Sequence, residues 1–347
     1  MALRDVPEVL FANVGGSGSW GYRFPEGVFD ADPDPAQGAP GTRPQAGWGA
    51  PARNGSPLQV RKLEGGLVFE TSYGDSPPFG LYELSDRRNG LSRRFLRVWF
   101  HGQQPGVQQD TPEDPYATTP MRSIEKVFDV LKRAGTKFIL VDASVGGVNR
   151  LLDPWDLVIT HDFYDDMKRV PRVAGGGFFS LRNPYCPHLR AKLFEAAGRN
   201  LGRYTALAQR VSGEPVQPKI VRRGVYVCPD GPWFESPAQI ADYQHRGFDV
   251  VGKTVVPEVQ IARALGAHFG SINSVVNPAE GLADPDSGRV WDWTSGDLFR
   301  IYDHYGPVIS AIVLEAMAAI DPENPGCRCV EFGPQPAARS YGQFIER

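Results

Sequence analysis

Short apolar runs bounded by glycine, proline and polar turns recur along the chain, and between them lie longer stretches with apolar residues at helical spacing. Val9–Val14 runs apolar into Gly15-Gly16-Ser17-Gly18, the pattern of a buried strand feeding a glycine turn. Further strands are predicted at Leu67–Thr71, Gly80–Leu84, Phe95–Phe100, Lys137–Asp142, Asp156–Thr160, Gly224–Cys228, Asp249–Gly252 and Phe269–Val276. Helices are predicted from Ser123, as N-cap, to a stop at Gly135, and from Pro187 through Gly202. Three more are expected at Ser236–Arg246, Val256–Leu265 and Gly306–Ile320. Glu26–Ser56 is rich in Pro, Gly, Ala and Asp without periodicity, and reads as a long loop insertion. Alternating helices and short apolar strands make the fold class α/β, with one central sheet covered by helices and a single domain over residues 1–347.

Charge and composition narrow the function. A net charge of −3 gives no basic footprint for a nucleic-acid backbone, so no nucleic-acid partner is expected. No apolar run is long enough to span a bilayer, and the N-terminus lacks a basic head followed by an apolar stretch. The expectation is a cytoplasmic protein with no membrane partner. Four cysteines in so long a chain make a disulfide framework improbable.

Three ordered segments carry a family resemblance. They are Asn13-Val14-Gly15-Gly16-Ser17-Gly18, then Gly224 through Glu235 (GVYVCPDGPWFE), then Lys253-Thr254-Val255-Val256-Pro257-Glu258 followed by Asn277-Pro278-Ala279-Glu280-Gly281. In order and spacing they resemble the purine nucleoside phosphorylase / methylthioadenosine phosphorylase family from residue 8 onward, with Glu26–Ser56 the main part lacking a counterpart. The resemblance implies a twisted mixed sheet flanked by helices and a homotrimer with sites near subunit interfaces. It implies cleavage of a purine nucleoside by phosphate, giving free purine and ribose 1-phosphate. No cofactor and no metal are expected; inorganic phosphate is the co-substrate.

The transition state of such a reaction pairs a cationic ribose with an anionic departing purine, so catalysis is largely positioning and electrostatics. For phosphate, the resemblance points to Ser17, His101, Ser144 and Thr254, whose hydroxyls and turn N–H groups suit an oxyanion. Turn capping is the plainer role of Ser17 and Thr254. For the base, Phe234 would stack on the purine, Glu235 would take a ring N–H or amino group, and Asn277 would meet N7 and the 6-substituent. The expected catalytic set is Asn277, Glu235 and His101. An amide both accepts and donates, so Asn277 resembles the pocket for a 6-oxopurine, where family members preferring 6-aminopurines carry Asp. The plainer alternatives are that Glu235 serves the helix after Ser236 and that Phe234 is core.

Several positions depart from the family. Where an arginine usually precedes the histidine matching His101, the chain has Trp99 and Phe100. Arg97 lies on the Trp99 face but about 7 Å back along the strand. Lys253 replaces the methionine beneath the ribose. It is read as reaching phosphate, meeting an acidic group on an unusual sugar, staying neutral, or extending its ammonium to solvent. Near Thr294–Asp297 no histidine matches the usual 5′-contact, and Asp292, Asp297 and His304 take no role. Glu280 is read as a solvated loop charge rather than a second acid. Cys327 and Cys329 form a C-x-C read as exposed thiols, since two ligands do not make a metal site. The altered phosphate contacts leave two alternatives: a nucleoside hydrolase or ribosyl-transfer enzyme, and a ligand-binding relative without turnover.

Overall fold

The computed structural model describes residues 5–16, 19, 24–29, 56–99, 120–166, 173, 177–229, 233–284, 286 and 296–334. Ser17, Phe100, His101 and all of the expected insertion but its ends lie outside the described residues. The strands are β1 (Phe11–Gly15), β2 (Leu58–Leu67), β3 (Glu70–Thr71), β4 (Gly74–Asp75), β5 (Phe79–Asp86), β6 (Leu91–Trp99), β7 (Phe138–Gly147), β8 (Leu157–Asp165), β9 (Ile220–Cys228), β10 (Val250–Val251) and β11 (His268–Pro278). The helices are α1 (Pro120–Arg133), α2 (Pro187–Ser212), α3 (Pro237–His245), α4 (Glu258–Ala264), α5 (Gly296–His304) and α6 (Gly306–Ala318).

Nine strands form one sheet in the order β10-β9-β8-β11-β7-β1-β6-β5-β2, with β3 and β4 paired separately. β1 runs parallel to β6 and β7, and β7 parallel to β11, whereas β5 and β8 run antiparallel to their neighbours β6 and β11. The sheet is therefore mixed, as expected. Side-chain alternation sends Phe11, Phe138 and Leu140 to one face, under α2, α5 and α6, and Ala12, Val14, Ile139 and Val141 to the other, against α1 and α4. With both faces covered, the central strands read as unbroken apolar runs.

β7 continues five residues beyond the predicted end at Asp142, and that extension shapes the molecule. Its first half pairs with β1, but Gly146 and Gly147 pair antiparallel with Val251 and Val250 of β10. The switch closes β7, β11, β8, β9 and β10 into a ring. Neither glycine has a side chain to obstruct the new neighbour: a Cβ at Gly146 would lie 3.1 Å from Val251 Cγ1, and one at Gly147 would lie 3.3 Å from Val275 Cγ1.

Other differences have local causes. α1 begins at Pro120, three residues before the predicted Ser123 cap, because proline suits the first helical turn; its stop at Gly135 is as expected, with φ +70°. The predicted strand at Leu67–Thr71 is split between the end of β2 and β3. Most of β2 carries exposed polar residues, a composition suited to an edge strand and silent as an apolar pattern. The C-terminal thiols are not exposed as expected: Cys329 is buried and Cys327 half-buried, because residues 326–333 fold back onto the start of β11.

α2 and α6 are joined through a buried carboxylate. Glu315 accepts from Asn200 Nδ2 at 3.0 Å and from Arg199 Nε at 3.1 Å. Glu315→Ala removes the buried acceptor shared by Asn200 and Arg199, while Asn200 Nδ2 keeps its bond to Ala196 O, and urea unfolding is expected to show a loss of about 1–3 kcal/mol.

Candidate active site

β1, β6, β7 and β11 point the same way, so Gly15, Trp99, Gly147 and Pro278 end on one side of the sheet. The carboxyl ends of parallel strands are where ligands sit in such sheets, since loops diverge there. The described candidate residues gather on this side.

At the glycine turn, Gly16 N–H donates to Asp142 O at 2.7 Å, and a Cβ at Gly16 would lie 3.0 Å from Ala143 Cα. Only glycine allows this approach, which sets the turn two residues from Ser144. The Ser144 hydroxyl bonds Tyr305 OH, whose phenol burial pushes far above its usual pKa, so it remains a neutral partner. A polar chain crosses the strands beneath. Arg97 Nη1 donates to Asn13 Oδ1, and Asn13 Nδ2 donates to Asp142 Oδ1 at 3.0 Å and Leu140 O at 3.1 Å. Arg97 is buried, with its guanidinium over the Phe24 ring at 4.1 Å. A Cβ at Gly15 would lie 3.3 Å from Arg97 Nη2. The backbone of Arg97 is two residues back, as the strand rise dictates, but its long side chain brings the cation to the glycine turn.

Thr254 lies in the segment after β10. Its N–H donates to Tyr226 OH at 3.2 Å, and the same hydroxyl leaves no room for a Cβ at Gly252, which also sits against Ser144 O. Burial raises the Tyr226 phenol well above its usual range, keeping it neutral. Val255 follows at φ +74°, in the left-handed region that a β-branched residue avoids. That conformation costs about 1–3 kcal/mol and is held by burial on all sides.

On the base side, Glu235 is buried and its Oε1 lies 2.6 Å from Lys253 Nζ. None of the readings of Lys253 from sequence named this partner. α3 does not use Glu235 as a cap. Ser236 Oγ accepts from Gln239 N, and Gln239 Oε1 accepts from Ser236 N, so a capping box serves the helix instead. Phe234 is exposed, which removes the alternative that it is core. β11 carries a bulge between Val275 and Asn277, and beyond it Asn277 pairs with Gly146, so the bulge aims this residue. Asn277 Nδ2 donates to Pro278 O at 2.7 Å, which uses one of its two N–H donors. Glu280 is half-buried rather than solvated, and His304 sits half-buried in the last turn of α5.

Asn13, Asp142, Tyr226 and Tyr305 were not singled out from sequence. Asn13 and Asp142 did leave a trace, as the lone polar residues of FANVG and FILVD. The tyrosines left none. A cleft of about 370 Å³ lined by Gly147, Asn149, Trp155, Glu214, Pro278 and Asp284 touches the end of β11 but holds none of Ser144, Glu235, Lys253, Thr254 or Asn277.

Residues 91–298 match the model of the phosphorylase superfamily. A probable 6-oxopurine nucleoside phosphorylase of Moorella thermoacetica is 33% identical over 205 residues, covering 57% of this chain and 70% of the relative. A probable S-methyl-5′-thioinosine phosphorylase of Methanothermobacter thermautotrophicus is 29% identical over 245 residues, covering 67% of this chain and 73% of the relative. A crystal structure of methylthioadenosine phosphorylase from an Antarctic soil metagenomic library shares the fold, with a TM-score of 0.61 and 20% identity over 94% of this chain and 91% of that one.

The Glu235–Lys253 pair stands between an exposed and a fully buried one, with side chains 5% and 20% accessible. Lys253→Met leaves the carboxylate without its counter-charge. The expected stability loss at neutral pH, read by urea unfolding, is about 1–3 kcal/mol.

Proposed function

The chain belongs to the phosphorylase superfamily, and from that premise we propose that it is a purine nucleoside phosphorylase-type pentosyltransferase acting on 6-oxopurine nucleosides in the cytoplasm. A phosphate oxygen bonds to C1′ of the ribose as the bond from C1′ to purine N9 breaks. The bonding pair leaves on the purine, which takes a proton at N7 from solvent water. The products are free purine and ribose 1-phosphate.

One observation carries this reading: the glycine turn, Ser144, Thr254, Glu235 and Asn277 meet at the carboxyl ends of β1, β7 and β11 and in the segments beside them. Phosphate would lie at the glycine turn against Ser144 and Thr254, with Ser17 and His101 completing its shell. The Arg97 guanidinium at Gly15 would supply the positive charge that Trp99 and Phe100 do not. Asn277 keeps one N–H for a 6-oxo oxygen while its Oδ1 accepts from protonated N7. Glu235 would take the purine N1–H, with Lys253 holding the carboxylate in place beside the ribose. Phe234 would stack on the base. The names of the Moorella and Methanothermobacter relatives agree in a 6-oxopurine substrate and differ in the sugar, so the 5′-group is the open variable. We propose a homotrimer, supported by the exposure of Trp233 and Phe234 beside Glu235, where a neighbouring subunit would cover the base.

Chromatography of purine released from inosine, guanosine, adenosine and methylthioadenosine, with and without phosphate, tests the reaction. Release is expected only with phosphate and fastest for inosine or guanosine; phosphate-independent release would make the protein a hydrolase. Asn277→Asp removes the donor to the 6-oxo group, and the adenosine-to-inosine ratio of kcat/KM is expected to rise at least about tenfold, or ~1.4 kcal/mol. An unchanged ratio would take Asn277 out of base selection.

A further inference from the structure

At the opposite end of β11 four metal-ligating side chains from three separate segments converge. Cys186 is the N-cap of α2, His268 opens β11, and Cys327 and Cys329 lie in the segment after α6. Their ligand atoms all lie within 4.8 Å of one another. Cys186 Sγ is 3.5 Å from Cys327 Sγ, and His268 Nδ1 is 3.5 Å from Cys186 Sγ and 3.3 Å from Cys327 Sγ. We propose that Cys186, His268, Cys327 and Cys329 form a tetrahedral zinc site that fastens the C-terminal segment to the sheet.

The distances fit the ion. Zinc–sulfur and zinc–nitrogen bonds of about 2.3 and 2.0–2.1 Å at tetrahedral angles put sulfurs about 3.8 Å apart and sulfur and nitrogen about 3.6 Å apart. The three edges among Cys186, Cys327 and His268 fall within about 0.3 Å of these values, and Cys329 Sγ, within 4.8 Å of the other donors, closes the tetrahedron by moving in by up to about 1 Å. Three thiolates and one imidazole is a donor set of structural zinc sites, with all four positions filled by protein and none left for a substrate. Binding converts three thiols to thiolates and releases three protons, while His268 coordinates as the neutral ring through Nδ1.

The surroundings orient these donors. The His268 ring stacks on Phe138, with centroids 4.8 Å apart and planes 8° apart, which fixes the direction of Nδ1. Cys186 is buried and placed by the start of the 26-residue helix α2. Arg263 Nη1 donates to Cys329 O at 2.9 Å and secures the returning segment. A disulfide between Cys186 and Cys327 would instead leave Cys329 and His268 gathered to no purpose. The site is structural: nine strand steps of about 3.3 Å separate His268 from Asn277, roughly 30 Å in all. It extends the sequence reading, in which only two of the four ligands were recognised and no metal was expected.

Elemental analysis of the full chain, purified under reducing conditions and dialysed against metal-free buffer, is expected to give one zinc per chain. Cys186→Ser and Cys329→Ser should each lower the retained zinc at least tenfold. Because either variant could misfold, the unaltered chain is also stripped with a chelator, reduced and titrated with Co²⁺. A sulfur-to-cobalt charge-transfer band in the near ultraviolet that saturates at one equivalent and is displaced by Zn²⁺ is the expected result. Absence of both retained zinc and that band would overturn the site, as would a disulfide involving Cys186 or Cys327 in the non-reduced chain as purified.

Discussion

The pairing of Gly146 and Gly147 with β10 is the constraint on which the rest of the structure depends. β7 lies between β1 and β11 for the first half of its length and then exchanges β1 for β10. The exchange turns half of an open sheet into a ring and brings the segment after β10 against the carboxyl ends of β1 and β7. Without it, Thr254 and Lys253 would stand on a distant sheet edge and not beside the glycine turn. Two glycines permit it because a side chain at either position would press on Val251 or Val275. Tyr226 then secures it, since its one hydroxyl excludes any side chain from Gly252 and accepts the Thr254 N–H.

Charge within this arrangement is kept in partnered form. Arg97 is buried in a strand of the central sheet, and an isolated charge there would cost several kcal/mol. It is tied to Asn13, which is tied in turn to Asp142, so cation and anion are linked by an amide across three adjacent strands. Glu235 and Lys253 do the same on the base side through direct contact. The strained Val255 lies between these two regions, in a segment held by Tyr226 on one side and by buried Val256 and Val259 on the other. A backbone conformation this costly persists only where its surroundings over-determine it, which is the condition a preorganised site requires.

The sequence made the α/β class and the central strands legible, because β1, β7 and β11 are buried on both faces and announce themselves as mostly apolar runs. It also singled out Glu235, Thr254 and Asn277 as candidates, because three ordered motifs carried them. What it concealed follows a physical pattern. β2 is polar because it is an edge, so its composition hides the strand. The Lys253–Glu235 contact joins residues eighteen positions apart through the closure of the ring, and no periodicity encodes it. The position of the Arg97 guanidinium depends on a side chain reaching along its strand, where strand rise alone gives only the backbone. The convergence of Cys186 and His268 on the C-x-C spans 141 and 59 residues of chain, so spacing showed two ligands where the fold assembles four.

α6 shows how the two ends of the molecule are mechanically related. Tyr305, its N-cap, holds the Ser144 hydroxyl at the candidate phosphate side. At mid-length Glu315 binds Arg199 and Asn200 of α2. After Ala318 the chain turns back so that Cys327 and Cys329 meet Cys186, the cap of that same α2, and His268 at the start of β11. α6 is thus fastened at its start, middle and exit to elements that are themselves packed in one core. The sulfur–imidazole cluster touches no candidate substrate residue, yet it fixes the exit of the helix whose entrance positions Tyr305. Packed structure thus runs from the cluster to Ser144 without any contact between the two.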